Sequence, residues 1–268
     1  MFAILGGSGL TRFPELEVTH GETIQTPYGR PSAPLRFGRL GAAEVVFLAR
    51  HGEHHEFAPH QINYRANIWA LAQFQRRGIL AVATVGAIRP EYNPGDLVIP
   101  DQVIDYTYGR AGSFVDGTDR RVVHIDFTEP FTRTLREQVY CKARSQLAEA
   151  QSAARNFPQA SELGPKVFRG GTYACTQGPR LESAAEIRRL ARDGCDLVGM
   201  TVMPEAALAR ELGCAYAVLA LVANHAAGIG DSVHTVEFEN IAPVLERSMV
   251  HVRRVLAAVV NAGAAPSD

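Results

Sequence analysis

Short apolar runs alternate along the chain with longer stretches in which apolar residues recur every three or four positions. The runs Phe2–Leu5, Val45–Ala49, Ile79–Thr84, Leu97–Ile99, Lys166–Ala174, Asp196–Gly199 and Cys214–Val222 predict strands. The stretches Asn63–Gln75, Thr132–Leu147, Ser183–Asp193, Pro204–Leu212 and Glu237–Asn261 predict helices, and glycine, proline or asparagine marks most junctions. This alternation predicts an α/β fold, a sheet with helices on both faces. No internal repeat is visible, and residues 1–268 read as a single domain. The stretch Ala148–Pro165, rich in Ala, Ser and Gln and containing two prolines, predicts a surface loop or a helix end, not a linker. The tail Ala262–Asp268 predicts a frayed end.

Composition narrows the class. A chain of 268 residues with 46% hydrophobic residues can bury a sizeable core. A net charge of −1 with no basic run argues against nucleic acid or an anionic membrane as the main partner. No apolar run reaches the ~20 residues of a membrane span. The start MFAILGG lacks the basic flank and cleavage site of a signal peptide. Cys141, Cys175, Cys195 and Cys214 are far apart with no CxxC spacing, which predicts reduced thiols in a cytoplasmic protein.

Ligands of open α/β sheets gather at the carboxyl ends of strands, so the residues just past each strand carry the chemistry. Gly6-Gly7-Ser8-Gly9 comes after the first; its backbone amides and hydroxyl suit an anion, or it is only a tight turn. It matches neither GxGxxG nor a P-loop. Arg50 and His51 come after the second and offer donors for a phosphate. The nearby His54, His55 and His60 raise a metal site, but their spacing fits no familiar zinc pattern. Glu182 either caps the helix from Ser183 or accepts an N–H of a heterocycle. Met200 and Thr201 precede a helix, where threonine either caps or binds an anion. Asn224, closing an apolar strand, either makes an Asx turn or presents a donor and an acceptor together to a ligand.

In combination, GGSGL, ARHG, NYRANIWAL, GAIRPEYNPGD, HIDFTEPF, GPRLES, VGMTVMPEAALA and ANHA resemble the trimeric purine nucleoside phosphorylase family, and most closely its methylthioadenosine phosphorylase branch. The resemblance runs from Ile4 to about Val259. It implies a mixed β-sheet flanked by helices, a homotrimer with active sites shared between subunits, and phosphorolysis of a purine nucleoside with phosphate as co-substrate. No metal or organic cofactor is implied. It assigns Ser8, Arg50, His51, Thr84 and Thr201 to phosphate, and Arg50, His51 and Asn224 to catalysis. Ala83, Met200, Leu181, Glu182, Asn224, His225 and Ala226 would contact the nucleoside. His124 would reach a neighbour's 5′ pocket, with Val233 and Val236 lining it. Thr84 stands where the family usually has alanine, and Leu181 where it stacks a phenylalanine on the base.

Asn224, Ala226 and Glu182 bear on the base. Family members acting on 6-aminopurines place aspartates where Asn224 and Ala226 stand, and a small hydroxyl residue where Glu182 stands. A carboxamide can donate to O6 and accept from protonated N7, and a carboxylate can accept from N1–H. The expectation is therefore a 6-oxopurine nucleoside. The methylthio-like frame further suggests 5′-methylthioinosine, cleaved to hypoxanthine and 5-methylthioribose 1-phosphate. Four alternatives stand beside it: a general inosine or guanosine phosphorylase, with His234 on a 5′-hydroxyl; a methylthioadenosine phosphorylase; a non-catalytic nucleoside-binding protein; and a metal-dependent hydrolase built around the histidines.

Overall fold

The computed structural model describes residues 1–10, 13–117, 122–154 and 164–262. In chain order its elements are β1 (Phe2–Gly6), β2 (Glu17–Glu22), β3 (Leu35–Leu40), β4 (Ala43–Ala49), α1 (Tyr64–Phe74), β5 (Ile79–Ala87), β6 (Leu97–Ile99), β7 (Gln102–Asp105), α2 (Arg133–Ala154), β8 (Val167–Arg169), β9 (Thr172–Cys175), α3 (Ala184–Arg192), β10 (Leu197–Gly199), α4 (Val202–Glu211), β11 (Tyr216–His225) and α5 (Phe238–Asn261). The sheet is flanked by helices, as the alternating pattern predicts, and it is mixed, as the family resemblance implies. The predicted helix end after Ala148 is met by α2, which runs to Ala154. The rest of that prediction over 155–163, and the frayed tail over 263–268, lie outside the described residues.

Three strands escape the hydrophobic pattern. All of β2 is exposed, β3 carries two arginines and a glycine, and β7 is half-exposed. The run Lys166–Ala174, predicted as one strand, is two. Gly170 and Gly171 take φ of 82° and 125°, a turn that side chains resist, so β8 joins β6 while β9 joins β7 and β10.

The centre is β5. It lies parallel to β1 and to β11, and its far end pairs antiparallel with β10. The parallel strands β4, β1, β5 and β11 thus deliver their carboxyl ends to one edge, the position at which α/β sheets bind ligands. Their interiors are mainly Val, Ile, Leu and Ala and almost entirely buried. Helix α1 packs on α4, α2 packs on α5, and both α4 and α5 rest on β11. In α5 the buried Met249, Val252, Leu256 and Val259 recur at helical spacing and form its core stripe. Cys175, Cys195 and Cys214 are buried and Cys141 is exposed; all four are free thiols. Among the described residues, no helix is long and apolar enough to cross a membrane.

Candidate active site

A cavity of about 610 Å³ opens at those carboxyl ends, a size suited to a small-molecule ligand. Ser8 reaches it from the turn after β1, where Leu10 N–H donates to Gly7 O at 3.1 Å. Arg50 and His51 come directly after β4, Ala83 and Thr84 lie on β5, and Met200 and Thr201 come directly after β10. Leu181 and Glu182 come from the turn before α3, and Asn224 and Ala226 from the end of β11. Of the fifteen residues that the resemblance assigns to the site, twelve meet here, counting Val236 with these eleven.

Asn224 reaches the cavity through a bulge. The register between β11 and β5 slips after Val222, so that Asn224 faces Gly86. Ala223 and Asn224 then both line the cavity, whereas an unbroken strand would send one of them to the opposite face. The Asx-turn alternative is not what forms. One amide N–H donates to His225 O at 2.6 Å, and the second N–H and Oδ1 are available to a ligand.

His225 is corrected. It alternates away from the cavity, lies against Gly230 and sits 3.5 Å from Asp231. Val233 is 54% exposed and outside the lining. His124 is exposed and also outside this chain's cavity. The apolar wall comes instead from Val236 and from Phe238, Ile241 and Leu245 at the start of α5. Their 3-and-4 spacing was visible, but it merges with the core stripe of the same helix. His234, the candidate partner of a 5′-hydroxyl, takes no part in the lining.

Arg50 is 1% exposed, and part of its fork is committed. Nε donates to Glu205 Oε1 at 2.5 Å, Nη2 to Glu205 Oε2 at 3.1 Å, and Nη1 to Val82 O at 2.8 Å. Two of its five N–H groups, one on Nη1 and one on Nη2, remain for an anion, while the Nε edge is taken by Glu205. Burial opposes the charge, but the Glu205 carboxylate more than offsets it and raises the pKa. Tyr216 OH adds a third bond to Glu205 at 2.7 Å. A Cβ on Gly7 would stand 2.7 Å from Arg50 Nη1, so only glycine lets the guanidinium approach this turn. Neither Glu205 nor Tyr216 was singled out, although a glutamate inside VMPEAALA was the one charge in an apolar stretch.

At His51 one ring nitrogen is already engaged. Nδ1–H donates to Phe57 O at 2.8 Å, and the ring stacks on His55. Burial, and then the Arg50 charge, push its pKa down to about 4. The imidazole is neutral at neutral pH, with Nε2 a lone-pair acceptor, and suits a phosphate that brings its own proton. Folding stability is linked to this shift. Unfolded chains bind the proton near pH 6.5 and the native state only near 4, so stability falls as pH drops across that window. His51→Asn, which can keep the bond to Phe57, is expected to flatten that part of the profile. Urea unfolding of both proteins at pH 7, 6 and 5 checks it, and parallel profiles would refute it.

Thr201 stands at the helix N-cap position but makes no capping bond, leaving its hydroxyl to the cavity. Glu182 does not cap α3 either. Ser183 and Glu186 do so reciprocally, at 3.2 and 2.7 Å. Glu182 instead accepts from Thr176 Oγ1 at 2.6 Å. Among the described residues, no group of three His, Cys, Asp or Glu could hold a metal ion.

Comparison with known proteins agrees with this geometry. The family model described as phosphorylase superfamily matches residues 1–261. A probable S-methyl-5′-thioinosine phosphorylase of Pseudomonas syringae pv. tomato is 45% identical over 262 residues, covering 98% of this chain and 99% of that one. A 6-oxopurine nucleoside phosphorylase of Pyrococcus furiosus is 44% identical over 262 residues, covering 96% and 91%. The structure of a methylthioadenosine phosphorylase from Schistosoma mansoni in complex with adenine superposes with a TM-score of 0.86 at 30% identity, covering 97% of this chain and 90% of that one.

Proposed function

The chain belongs to the phosphorylase superfamily, and we propose that it catalyses phosphorolysis of a 6-oxopurine nucleoside, S-methyl-5′-thioinosine first among them. One observation carries the reading. Asn224 and Glu182 line the same cavity as Ser8, Arg50, His51, Thr84 and Thr201, so base-reading groups and anion-binding groups share one space. The relatives named for methylthioinosine and 6-oxopurine nucleosides support it.

In this reaction a phosphate oxygen bonds to C1′ while the C1′–N9 bond breaks and its electron pair passes to the purine. The transition state is oxocarbenium-like. Phosphate is already a nucleophile, so the protein supplies position and charge. The two remaining Arg50 N–H groups, the Ser8, Thr84 and Thr201 hydroxyls and the neutral His51 hold it. Ala83 and Met200 border the ribose, and Leu181 lies against the base. The departing base takes up at N7 the proton that the hydrogenphosphate gives up overall; Asn224 Oδ1 accepts from that N–H, its amide donates to O6, and Glu182 accepts from N1–H. The products are hypoxanthine and 5-methylthioribose 1-phosphate. The apolar wall of Val236, Phe238, Ile241 and Leu245 supports a methylthio group over a hydroxyl at the 5′ position. The enzyme works as a cytoplasmic homotrimer with shared active sites, His124 reaching the neighbour, and needs no metal or organic cofactor.

The test is phosphate-dependent release of base from methylthioinosine, methylthioadenosine, inosine and adenosine. Methylthioinosine is expected to lead methylthioadenosine in kcat/KM by about two decades, the scale of one or two mispaired buried groups. Equal rates for inosine and methylthioinosine would discard the 5′ assignment and keep the base. A lead for methylthioadenosine would discard both.

A further inference from the structure

We propose that Thr176 is a positioning residue for base selection, its hydroxyl holding the Glu182 carboxylate as an acceptor toward a 6-oxopurine. The inference rests on the reading that the cavity takes such a base. It goes further by assigning a residue that lies outside the cavity lining.

Glu182 stands between two hollows. One side lines the main cavity, and the other faces a smaller hollow lined by Thr176, Gln177, Tyr106 and Arg189. Thr176 meets it from that rear side. Its Oγ1 lies 2.6 Å from Glu182 Oε1, in the range of a hydroxyl donating to a carboxylate, while the competing acceptor, Gly199 O, is 3.3 Å away. A hydroxyl has one proton to give, and the shorter contact to the charged acceptor takes it.

Thr176 itself is held in place. Its backbone N–H donates to Gly199 O at 2.8 Å. Arg110 Nη2 donates to Thr176 O at 3.2 Å and to Gln177 O at 2.8 Å. The other end of the same guanidinium donates to Met200 O at 2.8 Å and Met203 O at 2.6 Å. Arg110 thus ties the strand end that carries Thr176 to the segment that carries Met200 and Thr201. With Oε1 occupied from behind, Oε2 is left for the ligand. An N1–H is welcomed there, and the unprotonated N1 of a 6-aminopurine meets an acceptor. Without the hydroxyl the carboxylate is free to turn away from N1, so discrimination falls.

The experiment measures kcat/KM for an oxopurine and an aminopurine nucleoside with the same 5′ group, and tracks their ratio. Thr176→Val is expected to lower the ratio about tenfold, and Thr176→Ser to keep it within about threefold of wild type, because the serine hydroxyl restores the bond. In a Glu182→Ala background, Thr176→Val is expected to change the ratio by less than about twofold, since the shared bond is already gone. Should the valine variant fail to fold, Thr176→Ala takes its place. An unchanged ratio in Thr176→Val while Glu182→Ala loses its preference overturns the role of Thr176 and leaves the base reading standing. An equal fall for both substrates, or an undiminished effect in the Glu182→Ala background, overturns it too. A wild type without oxopurine preference removes the base reading and this inference together.

Discussion

Glu205→Ala is expected to cost about 3–5 kcal/mol of folding stability, the loss incurred when one partner of a buried ion pair is deleted. Glu205 has no exposed surface and stands among apolar neighbours on α4. It accepts from Arg50 Nε, Arg50 Nη2 and Tyr216 OH, so its removal leaves one buried cation and two sets of donors without acceptors. The unpaired charge dominates, because desolvation is compensated only while the carboxylate is present. Urea unfolding reads the effect as a shift in midpoint at constant slope. Tyr216→Phe, which removes a hydroxyl and no charge, is expected to cost less, about 1–2 kcal/mol. Arg50→Met combined with Glu205→Leu is expected to cost less than Glu205→Ala alone, because it leaves no orphaned charge, although phosphate use would be lost. Equal midpoints for wild type and Glu205→Ala would show that the pair contributes nothing to the fold.

The second large effect is on specificity. Asn224→Asp with Ala226→Asp and Glu182→Ser is expected to reverse the base preference, moving the oxopurine-to-aminopurine ratio by about two to four decades. Each mispaired buried group costs about 1–3 kcal/mol, and two separate positions on the base are changed. In wild type, Asn224 can give an N–H to O6 and accept at Oδ1, while Glu182 only accepts. After the change, a carboxyl at position 224 can take an exocyclic NH2, and the serine hydroxyl can donate to N1. The bulge after Val222 carries position 224 into the cavity whatever its side chain, so the new groups should point where the old ones did. A folded triple mutant with wild-type preference would remove Asn224 and Glu182 from base recognition.

Much of the site was legible because its residues stand just past strands in chain order. A strand that ends in an apolar run must turn, and Ser8, Arg50, His51, Met200, Thr201 and Asn224 occupy those turns. The apolar runs also marked the core strands, since strands buried on both faces cannot hide their composition. The features that escaped did so through exposure or distance. β2 lies on the edge of the sheet, fully exposed, and so carries no hydrophobic signal. Val233 and His225 sit one to three residues from lining positions, and no periodic pattern told which side each would face.

The amino-acid pattern alone settled the α/β alternation and pointed to the carboxyl ends of the strands, because both rest on local periodicity and on the residue types that end a strand; the candidate members and their roles came from the family resemblance. Tertiary structure decided what those members do. Only the fold brings Glu205 to Arg50 across 155 positions of sequence and commits to it one edge of a guanidinium that an isolated arginine would offer whole to phosphate. It also brings the Phe57 carbonyl to His51, burying a ring that is then neutral and an acceptor. A hydrogen bond or a displaced pKa belongs to a pair of groups and to the dielectric around them, and neither exists until the chain has closed around both.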